Sequence, residues 1–105
     1  MSYPYDESDL RVTPNTFRAL EQVAAERRRQ ESKWGEQNHA PPVYLTILGE
    51  EFGEACQAAL NITSPGEKGM DTAALAEAAL RKELVQIAAV AVAAIECLDR
   101  GAWKK

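Results

Sequence analysis

Glu51 and Glu54 stand three residues apart in the stretch LGEEFGEA, whose apolar residues recur at helical spacing. A three-residue step puts both carboxylates on one side of a helix. At about 100° per residue, the pair borders an apolar stripe through Leu48, Phe52 and Ala55, while Glu50 points further outward. Glu83 holds a comparable border position on a later helix, and in an antiparallel hairpin the three can converge. Carboxylates held close repel one another, and a divalent cation relieves the repulsion. Hard oxygen ligands favour Mg²⁺ or Mn²⁺ over Zn²⁺. On spacing alone a solvated acidic face is the plainer reading, because glutamates three apart are common on helices.

Other chemistries are thinner. A ferritin-like di-iron site draws on Glu-x-x-His pairs, and the single histidine, His39, lies in a connection between helices. Zinc sites need more His or Cys than the chain carries. No glycine-rich phosphate loop of the P-loop kind is present. A Cys56–His39 nucleophilic pair is disfavoured because Cys56 falls on or near an apolar helix face.

The elements that must position these residues are helical. Residues 1–12 lack apolar periodicity and read as an irregular N-terminal arm, with a single helical domain over 13–105. Thr13-Pro14 is an N-cap followed by proline at the first helical position, and Phe17, Leu20, Val23 and Ala24 then recur at helical spacing. This first helix runs through Arg27-Arg28-Arg29 to Lys33, where positive charge suits the negative end of the helix dipole, and Gly35 stops it. Helix two starts near Pro42 or Val43 and carries Leu45, Leu48, Phe52, Ala55 and Ala59 on one face. Asn61 to Met70, with Pro65, Gly66 and Gly69, reads as a loop. Asp71-Thr72 caps a third helix that runs to about Arg100, with Gly101 beyond it. The fold class is therefore all-α: three helices, the second and third forming an antiparallel hairpin. Within Leu84–Ile95 only Gln86 is polar, and a helix apolar almost all round must be covered on every side. Two shorter helices can hardly cover it, so the expectation is an oligomeric helical bundle.

Composition agrees. The 105 residues make one domain, and the abundance of Ala, Leu, Glu, Gln, Arg and Lys favours helix over strand. A net charge of −4 gives no overall positive field to collect phosphates, which argues against a nucleic-acid-coating protein. Cys56 and Cys97 sit inside helical patterns and read as buried reduced thiols. The start MSYPYDESDL is polar and acidic, with no secretory signal to be seen. The run Leu84–Ile95 is too short for a bilayer, which needs about 20 residues. The expectation is a soluble, cytoplasmic protein with no membrane partner.

The segment RQESKWGEQNH from Arg29 to His39, then Pro41-Pro42 and LGEEFGEA from Leu48 to Ala55, resembles the first half of a MazG-like protein. That family pairs a Trp-containing motif ending in Gln-x-His with a helix bearing Glu-x-x-Glu, then Glu-x-x-Asp on the next long helix. The stretch matching the last motif here is Glu83-Leu84-Val85-Gln86, and the similarity covers roughly residues 17–99.

The resemblance implies an all-α homodimer or homotetramer that cleaves a nucleoside triphosphate to the monophosphate and pyrophosphate. Glu51, Glu54 and Glu83 would be the catalytic carboxylates and, with Gln86, the Mg²⁺ ligands. Trp34 would offer a flat face to the base or sugar, where a partly buried core aromatic is the alternative. Gln37 and His39 would make polar contacts. Lys33 and the Arg27–Arg29 run would meet phosphates, unless the run is only a solvated helix end. Gln86 stands where the family has Asp, and an amide oxygen is a weaker Mg²⁺ ligand. Three outcomes stay open: a weaker but active site, substitution by a nearby acid such as Glu50 or Glu77, or a non-catalytic module that binds a nucleotide or a protein partner.

Overall fold

The computed structural model describes residue 6, residues 10–63 and residues 70–104. It is helical, with no strand among the described residues: α1 is Pro14–Trp34, α2 is Pro41–Thr63 and α3 is Met70–Arg100, followed by a 3-10 turn at Ala102–Lys104. No helix of the described residues is long and apolar enough to cross a membrane.

The first helix starts as its sequence dictates. Thr13 Oγ1 accepts from the Thr16 amide at 3.2 Å, satisfying one orphan donor, and Pro14 fills the first helical position. It ends at Gly35, whose φ of 73° lies in the left-handed region and whose amide returns to Glu31 O at 2.7 Å. Gly101, with φ 68°, closes α3 in the same way on Cys97 O and Leu98 O, both at 3.1 Å. The second helix begins one residue earlier than its proline pair suggested and continues to Thr63, so Asn61–Thr63 are helix rather than loop. Most of the expected arm and the rest of that loop with Pro65, Gly66 and Gly69 fall outside the described residues, while α3 already begins at Met70, so Asp71 and Thr72 lie inside the helix rather than capping it.

α1 packs mainly on α3, and α2 packs on α3. Cys97 Sγ, near the end of α3, donates to His39 O, just before α2, at 3.6 Å. The buried residues are few and small: Tyr44, Ala55 and Ala58 on α2, and Ala76, Ala89 and Cys97 on α3. Ala89 is 0% and Cys97 1% exposed. Small side chains let the helix backbones approach closely, at the cost of a core with little apolar volume.

Three expectations about faces need correcting. On α1, Phe17, Leu20 and Ala24 are exposed, and the side turned to α3 is carried by Val23, Glu26, Arg27 and Gln30 instead. On α2 the packed face runs through Tyr44, Ile47, Glu51, Ala55, Ala58 and Ile62, so Leu45 and Phe52 stand outside, Phe52 63% exposed. At about 100° per residue this face is turned some 60° from the stripe read in the sequence. The reason is that α2 is apolar on two sides, and periodicity gives no means of telling which one meets α3. Cys56 shares the outer side and is exposed, not buried; both cysteines are free.

Candidate functional site

The turn of α2 that puts Phe52 outside puts Glu51 inside. Glu51 and Glu83 are both half-buried and Glu54 is exposed, and each offers an oxygen such that the three lie within 4.8 Å of one another. Glu51 Oε2 and Glu83 Oε2 are buried with no hydrogen-bond partner. Two partnerless carboxylate oxygens facing a third carboxylate are unfavourable as they stand, because each gave up water without compensation. Burial raises the Glu83 pKa, and the adjoining Glu51 raises it further, while Glu54 and Lys82 act in the opposite direction. The donor set is all hard oxygen and charge-rich, and it fits a divalent cation of the Mg²⁺ or Mn²⁺ type. Neither Glu50 nor Glu77, the candidate substitutes, joins this cluster.

A cleft of about 250 Å³ opens between α1, the connection 35–40 and the inner sides of α2 and α3, and Glu51 belongs to its wall. Trp34, Gln37, His39 and Gln86 line it too, so five of the predicted site residues face one space. Trp34 is 52% exposed in the single chain and stands outside its buried core. Lys33 does not line the cleft; its ammonium lies over the Trp34 ring, 4.7 Å from the centroid. Gln86 is half-buried, and among the described residues its amide has no hydrogen-bond partner.

The arginine run is neither a free phosphate clamp nor a merely solvated end. Arg27 donates to Glu96 at 2.8 Å, tying α1 to α3. Arg29 grips Glu26 through two bonds of 2.9 and 2.7 Å, and those hydrogen bonds hold the Glu26 carboxyl below the ordinary range. Only Arg28 of the three has no carboxylate partner among the described residues, and it is absent from the cleft wall.

Sequence reasoning missed the residues that hold the connection in place. Tyr44 Oη donates to Gln37 O at 2.9 Å, and burial pushes the phenol pKa up. Arg100 Nη2 donates to Gln37 O at 3.1 Å and to Asn38 Oδ1 at 2.8 Å, with Glu36 3.6 Å away. The His39 ring meets Tyr44 edge-on at 5.1 Å. Tyr44 was legible as a neighbour of the Gln-x-His segment; Arg100, about sixty residues away, left no local signal. Comparison with protein-family models, curated proteins and solved structures gives no match to this chain.

Proposed function

We propose that this chain hydrolyses a nucleoside triphosphate to the nucleoside monophosphate and pyrophosphate in a Mg²⁺-dependent reaction, as its resemblance to the MazG-like pyrophosphohydrolases implies. One observation carries the reading: three carboxylates meet within 4.8 Å, two of them with orphaned buried oxygens, at the edge of a cleft walled by Trp34, Gln37 and His39. Glu51, Glu54 and Glu83 would hold the cation, with the Gln86 amide as a neutral oxygen ligand, and Mn²⁺ could replace Mg²⁺. When bound, the ion supplies charge neutralisation for the polyphosphate and lowers the pKa of water.

The chain's own residues do the rest. Trp34 gives the base or sugar a flat face, and Gln37 and His39 fix its polar edge. Glu54, the exposed member of the cluster, would accept a proton from the attacking water on the carboxylate oxygen that the ion leaves free. The water oxygen bonds to phosphorus as the bridging P–O bond between the α and β positions breaks, and the electron pair leaves with the other fragment. A cytoplasmic nucleotide pool is the matching source of substrate.

The same reading includes a homodimer or homotetramer built on α2 and α3 as an antiparallel hairpin. Leu45, Phe52, Leu84, Ile95 and Leu98 are all exposed in the single chain. These exposed apolar side chains on two helices favour a second copy as their cover.

A pyrophosphate-release screen over common and modified nucleotides, with Mg²⁺ and with Mn²⁺, tests the activity. Turnover of at least one nucleotide, lost in Glu51→Gln and Glu54→Gln with helical content kept, is the expected result. Binding without turnover in the wild type would favour the non-catalytic module. Light scattering that returns a monomer at micromolar concentration would defeat the assembly.

A further inference from the structure

We infer that Lys82, with Arg81 beside it, receives the polyphosphate, so that the substrate lies along α3 with its base toward Ala93 and its phosphates toward Lys82. This rests on the proposed pyrophosphohydrolase reading and adds the substrate's direction and its cationic contacts. The cations first expected in that role are otherwise occupied: Arg27 and Arg29 are bound to Glu96 and Glu26, and Lys33 covers Trp34. Lys82 and Arg81 form no ion pair among the described residues and are exposed, and Lys82 stands near enough to Glu26 and Glu83 to act on both carboxyls.

A second, more open groove of about 370 Å³ is lined by Arg81 and Lys82 and shares two wall residues, Glu26 and Gln86, with the Trp34 cleft. The two spaces therefore adjoin. On a helix, Lys82, Gln86 and Ala93 follow at steps of four and seven residues and form one strip. Gln86 and Ala93 of that strip line the Trp34 cleft, and Lys82 and Gln86 line the groove. From Ala93 to Lys82 the rise is about 16 Å at 1.5 Å per residue, close to the length of an extended nucleoside triphosphate.

The order along the strip matches the order of groups in such a molecule. Val90 and Ala93 share the cleft with Trp34 and His39 and give a base an apolar and aromatic side, in a cleft whose walls also carry the side chains of Arg27, Arg29 and Arg100. Glu83 of the carboxylate cluster is the next residue after Lys82, so the anionic end and the cluster stand at one level of α3. The one carboxylate between the two spaces, Glu26, is already neutralised by its two bonds from Arg29, and it offers little repulsion to a phosphate passing it.

Calorimetry with inorganic tripolyphosphate and Mg²⁺, alongside KM for the best nucleotide of the release screen, tests this. Lys82→Ala is expected to weaken tripolyphosphate binding and raise KM about tenfold, and Lys82→Ala with Arg81→Ala by more. Lys82→Arg should stay within about threefold of wild type, and Arg28→Ala should not differ from it. Magnesium binding without phosphate should be unchanged or tighter in Lys82→Ala, since a positive charge beside the cluster has gone. An active wild type whose double variant keeps full affinity would overturn the inference alone. So would a Lys82→Ala protein that has lost magnesium affinity, because Lys82 would then act through the cluster. A wild type that neither binds tripolyphosphate nor turns over any nucleotide would overturn the enzymatic reading and this inference with it.

Discussion

Replacing Glu51 with glutamine should make the metal-free protein more stable and the magnesium-loaded protein comparatively less so. Glu51 and Glu83 present oxygens no more than 4.8 Å apart, both half-buried, with one oxygen of each lacking any partner. Two unit charges at that separation repel by about 3.5 kcal/mol at an effective dielectric of 20, and by about 0.9 kcal/mol in water. The amide that replaces the carboxylate is still incompletely bonded, so a net gain of about 1–2 kcal/mol is the expectation. For a domain of this size that raises the melting temperature by roughly 4–16 °C. Magnesium reverses the ranking. At a hundred times its dissociation constant it adds about 2.7 kcal/mol to the wild type, whereas Glu51→Gln, with one charged ligand fewer, should gain little. Melting curves at fixed protein concentration, in chelator and in a magnesium series, show whether the two stabilities cross. A glutamine variant that melts lower than wild type in chelator and gains as much from magnesium would refute the reasoning.

The raised pKa of Glu83 sets a pH dependence of definite sign. Its folded pKa lies above its unfolded one, so stability is lost as pH rises through that interval; the chelated wild type should melt higher as pH falls through it from neutrality, and Glu83→Gln should flatten that slope. Further acidification should reverse the gain through Glu26, whose lowered pKa acts in the opposite sense. Gln86→Asp should tighten magnesium binding by up to about tenfold, or 1.4 kcal/mol; unchanged calorimetric affinity with a lower melting temperature would remove Gln86 from the ligand set. Arg100→Ala should raise KM several-fold while helical content is unchanged, because Gln37 O and Asn38 Oδ1 lose their shared donor; an unchanged KM would show that Tyr44 alone fixes the connection.

The helices were legible where the chain carries local punctuation. Thr13-Pro14, Gly35 and Gly101 each act on their own neighbours through a cap or a left-handed backbone, and these boundaries fall where the sequence put them. Spacing showed that Glu51, Glu54 and Glu83 could converge but left a solvated acidic face as the plainer reading; the resemblance singled them out, and the packing of α2 on α3 brings them within 4.8 Å. What periodicity could not supply was the choice between two apolar sides of α2. That choice is made by Tyr44 and by the small Ala55 and Ala58, which fit against α3 where Phe52 does not, and it carried Glu51 inward and Cys56 outward. The fate of Arg27 and Arg29 was equally hidden. A run of arginines looks like a phosphate site until Glu96, far along the chain, and Glu26, one turn back, are seen to hold it. Arg100 shows the same limit, since its partners Gln37 and Asn38 become neighbours only after the fold has formed.

That grip by Arg100 gives the site an order of assembly in time. The connection bearing Gln37 and His39 is made early in synthesis, yet one of the side chains that fixes it emerges some sixty residues later. While the ribosome is still working toward the end of α3, Gln37 O has only Tyr44 to receive from, and the cleft is without the wall that Val90, Ala93 and Arg100 provide. A chain halted before the end of α3 therefore lacks this part of the cleft wall. The cleft is complete only once the final turn of α3 has formed.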